Sequence, residues 1–473
     1  MSSNLFEGRV ERDSMGPMEV PTDAYYGAST MRAVLNFPIS RSRFPASFIR
    51  ALAPIKAAAA KVNMELGLLE SSIAKAITDA AREVSQGKYD DHFVIDIFQT
   101  GSGTSTNMNA NEVIANRATE LLGGERGTGL VHPNDHVNLG QSSNDVIPTT
   151  IHLAALIEIK EKLVPALTIL KETLAEKSCE FWPVIKTGRT HLQDATPIRL
   201  GQEFIGYTGQ VDRALRRIQH AQEELSEVAL GGTAVGTGVN THPEFAAKVC
   251  EILTEDANVN IKETDNHFQA QSAIDAVVEA SGVLRTIAVS LSKISNDIRW
   301  LGSGPRAGLG ELALPEVQPG SSIMPGKVNP VIAESVIQAT AQVIANDLGV
   351  CQGGLGSYFE LNMMLPLAAH NLLQSIELLS SSANNLAEQC VRGLKATPVG
   401  PKLLEEGLML GTALAPAIGY DQAAQIAKEA SSTGATIREV ARIRTNLTPQ
   451  ELDDLLNPAN MTAPGLGTGP SGG

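Results

Sequence analysis

QSAIDAVVEASGVLRTIAVSLSKISNDIRWL, residues Gln271–Leu301, is apolar on almost every helical face. A helix without a polar side is a buried helix, so this one is expected at the centre of a helical assembly. Partners of similar length lie on both sides of it in sequence. Thr196–Pro197 reads as a helix start, with proline where its missing N–H costs nothing. From there a stripe runs through Phe204, Tyr207, Val211, Leu215, Ile218, Ala221, Leu225 and Val228, in the steps of three and four that share one helix face. VIAESVIQATAQVIANDLG (Val331–Gly349) and NMMLPLAAHNLLQSIELLSSSANNLAEQCVRGL (Asn362–Leu394) predict two more long helices. Antiparallel helices of this length bury their stripes against one another, so a mainly α chain with an elongated bundle over residues 142–398 is expected.

Outside the bundle the pattern is shorter. Residues 1–141 read as a mixed, mostly helical N-terminal domain, with helices predicted over Ile49–Leu69, Ser71–Tyr89 and Thr106–Gly124, the last ended by Gly123 and Gly124. Residues 399–473 read as a small helical domain, built from DQAAQIAKEASSTG and TIREVARI, with a mobile tail, TAPGLGTGPSGG.

Composition excludes several classes of function. The chain has 473 residues, 43% hydrophobic and 19% charged, as in soluble globular proteins. Its net charge of -15 repels nucleic acid and anionic lipid, so neither is an expected partner. An anionic substrate would need a locally positive or donor-rich pocket. Cys179, Cys250, Cys351 and Cys390 are far apart and form no CxxC pair, which argues against zinc or iron–sulfur binding and for reduced thiols. The opening MSSNLFEGRVERDSMG has no apolar run, and no segment approaches a membrane span, so a cytoplasmic protein is expected.

Chemistry concentrates in four polar, glycine-rich segments at the boundaries of helical patterns. These are QTGSGTSTNMN (Gln99–Asn109), HPNDHVNLGQSSND (His132–Asp145), TGRTHLQDATP (Thr187–Pro197) and PGSSIMPGKVNP (Pro319–Pro330). One such loop is ordinarily a turn. Four of them, dense in hydroxyls and carboxamides beside helix starts, suit a carboxylate ligand. GSSIMPGKV is not a phosphate-binding loop, because five residues separate Gly320 from Gly326 and Val328 stands where a magnesium-binding hydroxyl is needed. GGTAVGTGVN lacks dinucleotide-loop spacing. His132 and His136 are four apart, but Pro133 disfavours a helical metal-binding pair. His191, Ser321, Lys327 and Glu334 each have an ordinary structural role open to them. Together they supply an imidazole, a hydroxyl, a cation and a carboxylate, the parts of an acid–base site.

GSSIMPGKVNP resembles the signature of the fumarase/aspartase superfamily, and the resemblance runs from RVERDSMGPMEVPTDAYYGAST to NPANM. GRTHLQDATP, GQSSND and GGTAVGTGVNTH resemble class II fumarases; aspartases typically carry Gln at the place of His191 and read QSTND. The resemblance implies a three-region, mainly helical fold, a homotetramer with a core of twenty long helices, active sites shared by three chains, and no metal or cofactor. It implies hydration of fumarate to (S)-malate by anti addition of water. An aspartate ammonia-lyase and a non-catalytic protein on the same scaffold are the alternatives. By motif, Ser321 is the base that takes the C3 proton of malate, and Lys327 and Asn329 hold the resulting aci-carboxylate. Ser102, Gly103, Thr104, Ser142, Ser143, Asn144, Thr190 and Ser322 complete the substrate contacts. His191, paired with Glu334, handles the water. A second anion site is implied at His132, Pro133, Asn134 and Asp135. There the chain departs from the family's pattern: Gly129 stands where an arginine is common, with Arg126 nearby.

Overall fold

The computed structural model describes residues 8–465; the mobility expected of the glycine-rich tail beyond 465 lies outside the described residues. In chain order, a hairpin of β1 (Gly8–Asp13) and β2 (Gly16–Pro21) leads into α1 (Ala28–Asn36), α2 (Ala46–Glu65), α3 (Ser71–Ser85) and α4 (Thr104–Leu121). Next come α5 (Ser143–Glu158) and α6 (Val164–Glu180), a second hairpin of β3 (Ile185–Thr190) and β4 (Gln193–Arg199), and α7 (Leu200–Leu225). The helices α8 (Phe245–Ala257) and α9 (His267–Ser272) precede three long ones, α10 (Asp275–Leu301), α11 (Val331–Gly354) and α12 (Leu365–Gln389). The chain continues through α13 (Val399–Glu406), α14 (Ala415–Ile418), α15 (Tyr420–Thr433), α16 (Ile437–Arg444) and α17 (Pro449–Leu455). Among the described residues strands occur only as two-stranded pairs, so the mainly α class holds.

Local chemistry accounts for the helix limits. After α4, Gly123 adopts φ +82° and donates to Glu120 O at 2.9 Å, while Gly124 donates to Thr119 O at 2.9 Å. These two bonds satisfy the helix's last carbonyls in the manner a left-handed glycine permits. Thr436 starts α16 with a capping box to Glu439, and Thr448 starts α17 in the same way with Glu451. The predicted stripe on α7 is buried at Phe204, Tyr207, Val211, Ile218, Ala221 and Leu225. Val228 falls past the helix, in a two-residue strand.

Two expectations are corrected. Thr196–Pro197 does not open a helix. It lies within β4, where Pro197 faces Thr187 across the hairpin, and the helix begins three residues later at Leu200. A two-stranded ribbon leaves an outward edge on each strand, where proline's missing donor is tolerated. The other correction concerns α10. It buries Val277, Leu284, Leu291 and Ile298 but exposes Val289 and Trp300, so within one chain its apolar surface is only partly covered. Ile344 and Leu348 are likewise exposed on α11, and Phe359 is 92% exposed.

The chain forms two compact units: Met1–Pro165, Ala214–Val289 and Ala339–Ser381 in the first, and Ala166–Arg213, Ser290–Gln338 and Ser382–Gly473 in the second. In the first, α2 packs on α3, α5 and α8, and α3 packs on α4. In the second, β3 packs on α13, and a separate apolar cluster gathers Leu404, Leu414, Ile426, Ile437, Val440 and Leu456. No described helix is long and apolar enough to cross a membrane.

Candidate active site

The first unit brings the starts of α4 and α5 together. Ser102 Oγ and Thr104 Oγ1 are 2.8 Å apart, and Thr104 Oγ1 lies 2.6 Å from Ser143 Oγ, so three hydroxyls form one hydrogen-bonded chain. Gly103, at φ +73°, makes the turn into α4, and a Cβ there would come within 3.0 Å of Ile147. Ser142 caps α5 by accepting from Asn144 N at 3.2 Å, while Ser142 N donates to Asp145 Oδ1 at 2.9 Å. Asn144 Nδ2 donates to Ala234 O at 2.8 Å, which fixes its carboxamide. Two helix N-termini and a row of reorientable hydroxyls place several hydrogen-bond donors in one patch, the chemistry that suits an anion where bulk positive charge is lacking.

The second unit carries the acid–base candidates. His191 and Leu192 are the two turn residues of the β3–β4 hairpin, with φ of +55° and +62°. That geometry is normally reserved for Asn-Gly, because two left-handed residues match the twist of the strands. A histidine and a leucine there mark a position set by something other than local preference. The hairpin is anchored from below: Lys186 Nζ lies 2.9 Å from Glu203 Oε1 and 3.0 Å from Glu311 Oε2, and Arg189 Nη2 lies 2.5 Å from Glu311 Oε1. Burial pushes the Glu203 carboxyl up in pKa, and Lys186 pulls it back. Among the described residues the His191 ring has no hydrogen-bond or ion-pair partner, and Thr190 and His191 are exposed. No bond joins His191 to Glu334 within the chain.

The Pro319–Pro330 loop is closed on itself. Gly320 N donates to Lys327 O at 2.8 Å, and Asn329 Nδ2 donates to Gly320 O at 2.6 Å. A Cβ on Gly320 would stand 2.4 Å from Lys327 O, so only glycine permits the closure. Ser321 Oγ accepts from the amides of Met324 at 2.9 Å and Ile323 at 3.2 Å. Two backbone donors on one hydroxyl oxygen stabilise negative charge there. Ser322, Lys327 and Glu334 are exposed, and the Lys327 ammonium has no partner among the described residues. Glu334 lies in the first turn of α11.

The second anion segment forms a single wide helical turn, Pro133–Val137, capped by His132, whose Nδ1 accepts from Asp135 N at 3.1 Å. Asn134 and Asp135 are exposed. Arg126 is engaged elsewhere: its Nε lies 3.0 Å from Glu120 Oε1, its Nη1 donates to Asp23 O at 2.9 Å, and its guanidinium stacks 4.6 Å over Tyr25. Gly129 turns at φ +75°. Among the described residues no group of three or more His, Cys, Asp or Glu side chains could hold a metal ion. A cleft of about 650 Å³ in the first unit, between α2, α3, α5, α8 and α12, contains none of the candidate residues.

Sequence reasoning missed the buried charges that support these loops. Asp145 is fully buried; burial raises its pKa, opposed by amides of Ser142, Thr233 and Gly231 and by the Lys56 charge. Lys56 is also fully buried and makes two hydrogen bonds, to Asn138 Oδ1 and Gln141 Oε1, each 3.0 Å. A signal existed for it: Leu52, Lys56, Ala59 and Asn63 share one face, which puts a lysine on an apolar stripe. Glu311 and Arg189, by contrast, meet across 122 residues, a pairing that no local pattern announces.

The chain matches the Lyase family over residues 16–345 and the Fumarase C C-terminus family over residues 410–463. It is thus a lyase whose second half carries a fumarase-type C-terminal segment. Its relatives include the class II fumarate hydratase of Halobacterium salinarum, 53% identical over 98% of both chains. That of Nitrosomonas europaea is 52% identical over 96% of this chain and 99% of its own. The crystal structure of class II fumarase from Schistosoma mansoni superposes with a TM-score of 0.94 at 40% identity, covering 96% of this chain and 99% of that one. The chain belongs to the class II fumarate hydratase family.

Proposed function

We propose that this protein catalyses the reversible hydration of fumarate to (S)-malate. The observation that carries the reading is the pair of amides on Ser321 Oγ, in a loop whose Lys327 ammonium has no partner among the described residues. In the dehydration direction the Ser321 alkoxide takes the C3 proton of malate, and the C–H electrons pass into the adjacent carboxylate. The resulting dianion needs preorganised donors, supplied by Lys327, Asn329 and the hydroxyl chain at the starts of α4 and α5. His191 then protonates the C2 hydroxyl as it leaves, giving fumarate and water. In hydration the same imidazole takes a proton from water, oriented by the Glu334 carboxylate.

The site is composite. The exposed His191, Lys327 and Glu334 side chains find no mates among the described residues of their own chain, and apolar residues lie uncovered along α10 and α11. A homotetramer that builds each site from loops of three chains answers both features. The cytoplasm is the proposed compartment, and four unpaired cysteines suit its reducing conditions. The second anion site at His132–Asp135 is part of this reading only as a weak site, because Arg126 is held by Glu120 and Asp23. The functional test is spectrophotometric. Fumarate absorbance should develop with malate and not with aspartate; absorbance with aspartate alone would overturn the reading in favour of an ammonia-lyase.

A further inference from the structure

Beneath the Ser142–Asn144 segment lies a buried polar knot that the proposed mechanism does not use. One carboxamide oxygen, Asn138 Oδ1, accepts three donors: Lys56 Nζ at 3.0 Å, Asn107 Nδ2 at 3.1 Å and Asn111 Nδ2 at 3.1 Å. The donors come from two helices, α2 and α4. Asn107 sits one turn after Thr104, so the same oxygen ties the hydroxyl-bearing start of α4 to the loop before α5. That loop is also latched internally: Asn138 Nδ2 donates to Gln141 O at 3.0 Å, and Gln141 Nε2 donates to Val137 O at 3.1 Å. Lys56 Nζ grips both ends of the latch, Asn138 and Gln141, and Ser142 follows directly.

A fully buried ammonium with only neutral hydrogen-bond partners is costly, and an apolar side chain of similar volume would serve the core better. Burial pushes the Lys56 ammonium down to about 7, opposed through space by the Asp145 carboxylate. Asn107 Oδ1 and Asn111 Oδ1 are themselves buried without hydrogen-bond partners among the described residues. Such an arrangement stands where geometry, rather than stability, is required.

We propose that Lys56 is a positioning residue for substrate binding: through Asn138 and Gln141 it sets Ser142, Ser143 and Asn144 against Ser102 and Thr104, so that the first unit's donors converge on a dicarboxylate. The role rests on the fumarate–malate reading of the site. Lys56→Met, Gln141→Leu, the double variant and Lys61→Met, an exposed control on the same helix, are compared with the parent. The measurements are KM and kcat for malate, Ki for succinate as a dicarboxylate that does not react, and Tm. Lys56→Met should raise both KM and Ki at least tenfold while kcat changes less than threefold; Lys61→Met should change none of them. The double variant should bind no more weakly than Lys56→Met, because both substitutions cut one connection. KM and Ki within twofold of the parent in Lys56→Met, with only Tm or kcat reduced, would leave Lys56 a core residue and overturn the proposal. If Lys56→Met does not fold, Gln141→Leu decides: Ki raised at least threefold supports the role, and an unchanged Ki removes it. A parent protein inert on malate would sink the functional reading first, and the role with it.

Discussion

Replacing Ser321 by alanine removes the oxygen on which the amides of Met324 and Ile323 converge, at 2.9 and 3.2 Å. Loss of one comparable oxyanion donor costs about 2.7–4 kcal/mol in a closed enzyme site; both amide bonds are exposed in the single chain, so that single-donor scale is the one applied to the alkoxide here. At about 1.4 kcal/mol per tenfold, that is roughly two to three powers of ten in the population of a base which an isolated hydroxyl would not supply at neutral pH. Ser322 has no such support and is exposed. Ser321→Ala should therefore lower kcat at least about a hundredfold, whereas Ser322→Ala should raise KM by no more than about tenfold, the scale of one hydrogen bond. Fumarate absorbance measures turnover, and NMR in D2O measures exchange of the malate C3 proton separately from loss of the hydroxyl. Turnover and exchange within tenfold of the parent in Ser321→Ala would refute the assignment of serine as base.

His191→Asn should lower kcat at least about a hundredfold while C3 exchange survives, because the proposed mechanism gives proton removal and water departure to different groups; equal loss of both would contradict that division. Gly320→Ala places a Cβ 2.4 Å from Lys327 O and must open the loop. It should reduce kcat at least about tenfold with an unchanged circular dichroism spectrum, since loss of one backbone bond costs about 1 kcal/mol and the loop is outside the core. Burial lowers the Lys56 pKa from 10.5 to about 7, so between those values the unfolded chain binds a proton that the folded chain releases. The parent thus loses stability as pH falls towards 7, and Lys56→Met does not share this loss. The Tm of Lys56→Met minus that of the parent should rise between pH 9 and pH 6.5, and a difference independent of pH would argue against a buried titrating amine.

Periodicity located the long helices because an apolar stripe needs no tertiary information, as Phe204 to Leu225 on α7 shows. It failed at Thr196–Pro197, where a local helix-start pattern was overridden by pairing of β4 with β3. The same pairing turned an expected loop at His191 into a strained hairpin tip. The sequence also placed α10 inside a core, yet its Val289 and Trp300 are exposed in the single chain. An apolar helix reports that its surface is to be covered, not which chain covers it. Among the candidate residues, Ser321 was legible through the resemblance of GSSIMPGKVNP to the superfamily signature, and Gly320 beside it has a backbone reason, the 2.4 Å that a Cβ there would leave to Lys327 O. The charges beneath the site were not, apart from the lysine on the α2 stripe. Glu311 and Lys186 become meaningful only when distant segments meet.

The proposed function has His191 and Ser321 act in one site but come from different chains. Mixing His191→Asn and Ser321→Ala proteins, each nearly inactive, and reassembling them as mixed oligomers tests it directly. With equal, random mixing, a site draws an intact imidazole half the time and an intact hydroxyl half the time, so about a quarter of the parent's malate dehydration activity should return. A reassembled mixture no more active than either variant alone would show that both groups must come from a single chain, and would contradict the account.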